Sequence, residues 1–98
     1  MPDNTIEIEN VNHPGRTTRV DRWKYDAMRS ALMAVLPADP PGLSVADART
    51  ALLPLLPDDV FPQGQTAGWW LKAVQLDLEA KGVIKRAARG NVRLYRCG

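Results

Sequence analysis

The side chains that could do chemistry in this sequence are mainly cations, and they concentrate towards its C-terminal end. Residues 82–98 contain five basic side chains and no acid, whereas the net charge of the 98 residues is only +2. Clustered Lys and Arg side chains neutralise phosphate groups and give an affinity that falls as salt rises. The candidate phosphate-binding residues of this segment are Lys85, Arg86, Arg89, Asn91, Arg93 and Arg96. The alternative is a charged edge hairpin that only prevents aggregation.

A second group of candidates lies on a predicted helix that begins after Thr66 and ends near Lys81. Gln suits bidentate contact with adenine, and Lys suits guanine, in the major groove of DNA. The residues that we expect on the front of this helix, facing base edges, are Gln65, Thr66, Trp69, Lys72 and Gln75. Asp77 and Glu79 follow on the same helix and would repel phosphate if they faced it. The competing interpretation is therefore an ordinary solvated face.

Two adjacent tryptophans, Trp69 and Trp70, stand near the start of the same helix. Successive residues of an α-helix point about 100° apart, so both indoles can hardly face one core. We expect one of them to be partly exposed, where it would suit a partner interface. The alternative is that both pack inside, against the N-terminal hairpin or the loop around Phe61.

The sequence contains no recognisable catalytic or metal-binding constellation. His13 is the only histidine and lies in a predicted turn, with no Ser, Cys or carboxylate at a motif spacing. The adjacent Asp58 and Asp59 are typical of solvated loop carboxylates, and the single cysteine, Cys97, excludes an internal disulfide. A glycine-rich phosphate loop is also lacking. We predict a protein that is not an enzyme and that holds neither a cofactor nor a metal ion.

Composition places the chain among ordinary globular proteins. It is 45% hydrophobic and 24% charged, and its length suits one domain. The first residues have neither the basic region nor the apolar region of a secretory leader, and no apolar run approaches the ~20 residues of a membrane span. We therefore expect a cytoplasmic protein that does not enter a membrane.

Periodicity and capping residues predict the elements that must position these candidates. Ile6 and Ile8 alternate with polar residues, and the turn His13-Pro14-Gly15 follows, which favours a hairpin over residues 1–20. Its apolar side needs a cover, either the protein's own helices or a second copy of the chain. Three helices are predicted over residues 21–81, with N-caps at Asp21, Ser44 and Thr66. Residues 82–98 then form a basic hairpin around Gly90 and Asn91.

This order predicts an α+β fold: a single winged-helix-like domain over residues 1–98, with three helices, a C-terminal hairpin wing and a short N-terminal β segment. The segments VNHPGRTTRVDRWKYDAMRSALMAVLP and GWWLKAVQLDLEAKGVIKR resemble those of a small bacterial family of uncharacterised proteins. The resemblance covers most of the chain. It implies a compact winged-helix-like fold, and it supplies no activity or site residues.

Two functions are compatible with these features. The first is binding of double-stranded DNA by a homodimer, with transcriptional regulation as one role, the third helix in the groove and the Arg-rich hairpin on phosphates. The second is a protein–protein interaction module on the same fold that does not bind DNA. In that case the basic hairpin would meet an acidic partner protein, and an exposed tryptophan or the strand of Ile6 and Ile8 would supply the apolar anchor.

Overall fold

The computed structural model describes residues 4–39, 42–87 and 93–96. In these ranges the chain forms a mixed α+β domain with three α-helices and two small sheets, as the sequence predicts. Two single-turn 3-10 helices, Leu53–Leu55 and Pro62–Gly64, connect the second and third α-helices. The elements in chain order are β1 (Thr5–Glu9), β2 (Thr17–Asp21), α1 (Arg22–Val35), β3 (Leu43–Ser44), α2 (Val45–Leu52), α3 (Ala67–Ala80), β4 (Ile84–Arg86) and β5 (Arg93–Arg96).

The predicted N-terminal hairpin is confirmed. Strands β1 and β2 pair antiparallel, with Ile8 opposite Thr18 and Ile6 opposite Val20. Ile8 and Val20 are buried in the same core as α1 and α3. The protein's own helices therefore cover the apolar side of the hairpin, which was one of the two covers that the sequence allowed.

Local capping explains where the first two α-helices begin and end. The Asp21 side chain accepts hydrogen bonds from the backbone N–H groups of Trp23 and Lys24, as expected of an N-cap. Helix α1 ends before Pro37, because a residue that precedes proline avoids the helical conformation. The Ser44 hydroxyl accepts from the backbone N–H of Asp47 at 3.1 Å and starts α2.

Helix α3 begins where the sequence predicts, but by a different mechanism. Thr66 occupies the N-cap position with φ of 60°, in the left-handed region, and its side chain makes no capping bond. Its hydroxyl donates instead to the carbonyl of Gln65 at 2.6 Å. Gln63, with φ of 55°, is also left-handed. A β-branched residue in this region is strained, so the tertiary structure holds the start of α3 in place.

The C-terminal hairpin belongs to a three-stranded sheet in the order β3-β5-β4. Pairing of β4 with β5 confirms the predicted hairpin in its described part, whereas β3 was not predicted because two residues carry no periodicity. Leu43 lies opposite Leu94, and Ser44 lies opposite Arg93. A Cβ atom on Gly42 would stand 2.0 Å from the carbonyl oxygen of Leu94, so only glycine permits this approach. The chain between α1 and α2 therefore attaches the hairpin to the helices.

The core lies between α1, α3 and the two sheets. Val60 and Phe61 are buried in it and anchor the loop before α3. Its largest fully buried apolar side chains are Phe61, Met28, Leu32, Leu36, Leu52, Leu78, Ile84, Leu94 and Val74. None of the helices in the described ranges is long and apolar enough to cross a bilayer.

Candidate nucleic-acid interface

Helix α3 presents only a narrow stripe to solvent. Trp69 is 58% exposed, and Lys72, one turn further along, is exposed on the same side. Gln65 and Thr66, just before the helix, are also exposed. Of the five residues predicted to face bases, these four are thus available at the surface.

The fifth, Gln75, is not available, and its predicted exposure is wrong. Its side chain is only 6% exposed, and its Nε2 atom donates to Glu79 Oε2 at 3.1 Å. Gln75 borders a depression that Val45 of α2 and Arg86 of β4 also line. Glu79, the partner of Gln75, is itself bonded to Arg86, so β4 lies on this side of α3, which the helical pattern alone left open.

Asp77, which would repel phosphate if it faced it, is fully buried. Its carboxylate accepts hydrogen bonds from the Tyr25 hydroxyl, from the Glu9 backbone N–H at 2.8 Å and from Lys81 Nζ at 3.0 Å. Burial and the hydrogen bond to Asp77 raise the pKa of Tyr25 well above its ordinary value. Asp77 therefore joins the N-terminal hairpin, α1 and α3, and does not face an incoming phosphate.

Glu79, the other acid of this helix, is also occupied within the protein. Its carboxylate accepts from Nε and Nη2 of Arg86, and its side chain is only 6% exposed. The hydrogen bond to Glu79 raises the pKa of Arg86 above its ordinary value. Both carboxylates that argued against nucleic-acid binding thus have a cationic partner within the protein, Lys81 for Asp77 and Arg86 for Glu79. Arg86 is one of the predicted phosphate-binding residues of the hairpin, and the ion pair with Glu79 engages it.

The remaining hairpin candidates differ in how they are held. Lys85 is exposed and has no ion pair with a described residue. Arg93 Nη1 donates to the Gly42 carbonyl at 3.4 Å, and Arg96 Nε donates to the Leu36 carbonyl at 2.8 Å. Arg93 and Arg96 keep their charge, because a carbonyl does not neutralise a guanidinium. Arg89 and Asn91, like Cys97, lie outside the described residues.

Two further cations that the sequence did not single out lie beside α3. Arg16 of the N-terminal hairpin and Lys72 line a cleft of about 310 Å³ between that hairpin and α3. Arg49 of α2 lies over the first turn of α3, since its Cζ atom would be 3.8 Å from a Cβ on Gly68. Arg49 is the only basic residue among residues 37–64, which otherwise carry four aspartates. The net charge of this segment is therefore negative, and it gave no reason to expect a cation beside α3.

Together these side chains form a surface that we call the basic band, consisting of Arg16, Arg49, Lys72, Lys85 and Arg86. Lys72 links its parts, because it lines both the cleft with Arg16 and the depression with Arg49 and Arg86. Lys85 is the neighbour of Arg86 and lines a further depression with it. Of the five, Arg86 alone has an ion pair with a described residue.

The paired tryptophans behave as the helical geometry predicts, with Trp70 buried and Trp69 exposed. The two indoles meet edge to face, with ring centroids 5.1 Å apart and an angle of 79°. Trp70 in turn contacts Phe61 edge to face, with centroids 6.4 Å apart. The exposed indole of Trp69 is therefore supported by the indole of Trp70, which is buried in the core.

Comparison with known proteins gives one family. Residues 5–94 match the profile of a family of unknown function, DUF6958. The chain belongs to the DUF6958 family. This confirms the resemblance to uncharacterised proteins that the sequence suggested. No curated protein and no solved structure is significantly similar to this DUF6958 chain.

The other predicted polar groups of this DUF6958 protein remain dispersed. His13 is exposed in its turn, and Asp58 accepts from the Gln63 backbone N–H at 3.2 Å. Across residues 4–39, 42–87 and 93–96, no three His, Asp or Glu side chains cluster closely enough to hold a metal ion. The basic band and the exposed stripe of α3 are therefore the most distinctive chemical surface of the described chain.

Proposed function

We propose that this protein binds double-stranded DNA through the basic band and the exposed stripe of α3. The observation that carries the proposal is the distribution of charge around this helix. Both of its acids, Asp77 and Glu79, are satisfied by protein groups. The four other cations of the band, Arg16, Arg49, Lys72 and Lys85, have no ion pair with a described residue. The surface beside α3 is therefore positive, which favours contact with phosphates.

The order of the elements supports a winged-helix assignment. Three helices are followed by a hairpin, and a strand between the first two helices pairs with that hairpin. In helix-turn-helix proteins a recognition helix enters the major groove while neighbouring elements contact the backbone. In our proposal α3 is the recognition helix, and the C-terminal hairpin is the element on the backbone.

In this proposal the exposed stripe of α3 contacts bases, and the C-terminal hairpin contacts phosphates. Gln65, Thr66, Trp69 and Lys72 face the groove, where base contacts supply specificity. Lys85, Arg93 and Arg96, with Arg89 and Asn91 of the same hairpin, contact phosphates, which supply register and most of the affinity. We further propose a homodimer, because two copies of one reading helix would bind two half-sites of a duplex.

The test is a titration of a fluorescein-labelled random duplex, followed by anisotropy at ~50 and ~200 mM salt. We expect affinity to fall steeply with salt in the natural protein. The double variant Lys72→Glu/Lys85→Glu should bind at least about tenfold more weakly, with a smaller salt slope, because Lys85 is a proposed phosphate contact. The matched control is Arg22→Glu/Arg29→Glu, which reverses two exposed charges on α1, outside the basic band.

Two results would contradict the proposal. One is absence of binding by the natural protein at the lower salt. The other is an equal loss of affinity in Arg22→Glu/Arg29→Glu and in Lys72→Glu/Lys85→Glu, which would show that only net charge matters. Circular dichroism and thermal unfolding of each variant establish that a loss of binding is not a loss of structure.

A specific observation favours the alternative function, a protein–protein interaction module. Trp23 is 56% exposed and Leu55 is 52% exposed, at the edge of a groove on α1 of about 410 Å³ that is otherwise lined mainly by small residues. Exposed tryptophan is typical of interface anchors. The strand of Ile6 and Ile8 does not serve as this anchor, since both side chains pack into the core. On this alternative Trp23 and the basic hairpin hold an acidic partner, and duplex DNA does not bind at low salt.

A further inference from the structure

The cleft between the N-terminal hairpin and α3 has a distinctive composition. We call it the hairpin cleft, and its volume is about 310 Å³. Its apolar floor consists of Ile8, Ala73 and Leu76. Its rim combines an aromatic ring, Trp69, with the cations Arg16 and Lys72. A ligand that fits all of these groups needs a flat apolar part and an anionic part.

The hairpin contributes one cation, Arg16, and one acid, Glu9, to the lining of this cleft. Side chains alternate between the two faces of a strand, so Thr18 lies on the same side as Ile8, which is paired with Thr18 and buried. Arg16 comes just before this strand and lines the cleft beside Thr18. Glu7 lies on the opposite face, where its carboxylate is 3.8 Å from Arg19 Nε. Glu9 also lines the cleft, but it alternates with Ile8 along β1, which directs its side chain towards the other face of the strand.

The aromatic side of the cleft is held in position before any ligand arrives. Trp69 and Trp70 meet edge to face, so the indole of Trp69 is held on one side while the residue remains 58% exposed. Lys72 lies three residues further along α3, and side chains at this spacing are neighbours on one helix face. Arg16 approaches from the opposite wall. Neither cation has an ion pair with a described residue.

We propose that the hairpin cleft binds a single nucleotide whose base is unpaired. The base stacks on Trp69, and its phosphate lies between Arg16 and Lys72. Stacking of bases on exposed aromatic side chains, beside cations that follow the phosphates, is the usual chemistry of single-strand recognition. The volume is at the lower end of ligand sites, about 300 to 1,000 Å³, and suits one nucleotide unit.

This inference rests on the proposed function, because Trp69 and Lys72 belong to both surfaces, and it adds a requirement that duplex binding lacks. A base within a duplex is stacked on both faces, so it must leave the stack before an indole can cover it. Two sources supply an unpaired base with its phosphate: a free mononucleotide and a nucleotide in a single strand. They share their chemistry and differ in the neighbouring phosphates.

The test uses the fluorescence of Trp69 in a Trp23→Phe background, in which the other exposed indole no longer contributes. The probes are adenosine monophosphate, ribose 5-phosphate, a short mixed-sequence single strand and a blunt duplex of the same sequence. We expect saturable quenching by the single strand or by the mononucleotide, and none by ribose 5-phosphate, which has no base. Quenching by both indicates a site for free nucleotide, and quenching by the strand alone indicates a site within nucleic acid. Each result supports the proposal.

Matched variants, followed by anisotropy of the labelled single strand, locate the site. Trp69→Leu should weaken single-strand binding by about tenfold or more. Trp23→Leu removes an indole of nearly equal exposure, 56% against 58%, and should not change it. Arg16→Ala should weaken binding severalfold, whereas Arg29→Ala, which removes the same charge from α1, should not.

The outcomes separate this inference from the proposed function. Quenching by neither the mononucleotide nor the strand, or equal losses in Trp69→Leu and Trp23→Leu, would overturn the nucleotide site. Salt-dependent duplex binding can stand with such a result. Single-strand binding that depends on Trp69, without any duplex binding, would support the site and remove the duplex proposal. Since Trp69 is largely exposed, Trp69→Leu is expected to fold, and its thermal unfolding is measured as a check.

Discussion

At the scale of the residue, the burial of Asp77 affects the charge of the surface of α3. It stands between Leu76 and Leu78 on α3 and is fully buried, with bonds to Tyr25, Lys81 and the Glu9 backbone. Burial of a carboxylate is costly unless charged and polar partners surround it. Here those partners come from α1, α3 and β1. Satisfying Asp77 internally thus removes a negative charge from the side of α3 that we propose for phosphate contact.

We predict that Asp77→Ala lowers the free energy of unfolding by about 3 kcal/mol or more, because it leaves buried donors without an acceptor. Urea unfolding measures the change. The control is Asp26→Ala on the exposed side of α1, where we expect a change within about 0.5 kcal/mol. Equal effects of the two substitutions would show that Asp77 is not the junction described above.

The raised pKa of Tyr25 predicts a loss of stability in alkali. In the unfolded chain the phenol ionises near pH 10, whereas in the folded protein it keeps its proton to higher pH. Between these values the folded state binds more protons, so the free energy of unfolding falls as pH rises above about 10. The slope reaches at most about 1.4 kcal/mol per pH unit for one group. In Tyr25→Phe this contribution should vanish, and urea unfolding at several pH values between ~8 and ~11 tests it.

At the scale of the element, the C-terminal hairpin depends on a strand of two residues. Leu43 and Ser44 add β3 to the edge of β5, and Arg93 and Arg96 reach the carbonyls of Gly42 and Leu36. These contacts hold the proposed backbone-binding hairpin at a defined place relative to α1 and α2. The described strands of the hairpin therefore pack against the rest of the domain. This packing determines where Lys85, Arg93 and Arg96 lie.

The close approach at Gly42 gives a sharp test of this attachment. Gly42→Ala combines a strained φ of +81° with a Cβ only 2.0 Å from the Leu94 carbonyl oxygen, so β3 must separate from β5. We expect the free energy of unfolding to fall by about 3 kcal/mol or more. Gly15→Ala has a similar φ of +86° but no atom within 4 Å of its Cβ, and should cost about 1 kcal/mol. If urea unfolding gave similar losses of stability for Gly42→Ala and Gly15→Ala, the close approach of Gly42 to Leu94 would be refuted.

At the scale of the whole molecule, the charged and apolar surfaces occupy different elements. The basic band involves the N-terminal hairpin, α2, α3 and β4, whereas the apolar groove lies on α1 beside Leu55 and Pro57. Trp23 projects at one end of this groove, and Ala34 lies at its other end. We place the contact of the proposed homodimer at this groove, where the small residues of one α1 would lie against those of the other. Because the basic band involves other elements, such a contact would leave it open to DNA.

We predict that Ala34→Glu converts the proposed homodimer into a monomer, because it places a charge in the apolar contact. Ala34 is exposed, so the fold of the single chain should be unaffected. Ala46→Glu introduces the same charge at an exposed position of α2 outside the groove and should leave the dimer intact. Sedimentation equilibrium over a range of protein concentrations measures the association. A natural protein that stays monomeric throughout would contradict the homodimer.

The sequence by itself determined most of the elements, because their signals are local. Asp21 begins α1, Ser44 begins α2 and both hairpins lie where period-two alternation and turn residues place them. It also predicted correctly that one of the two adjacent tryptophans is exposed, since helical geometry separates neighbouring side chains. Each of these features depends on residues within a few positions of one another.

Only the tertiary structure decided which polar groups of α3 remain available. Gln75 is buried and bonds to Glu79, which pairs with Arg86 of β4. Asp77 bonds to Tyr25, 52 positions away, and to Glu9, 68 positions away. The same long-range packing brings Arg16 and Arg49 to α3. Helical periodicity gives the direction of a side chain but not the element that meets it. The composition of the candidate interface could therefore be read only from the folded chain.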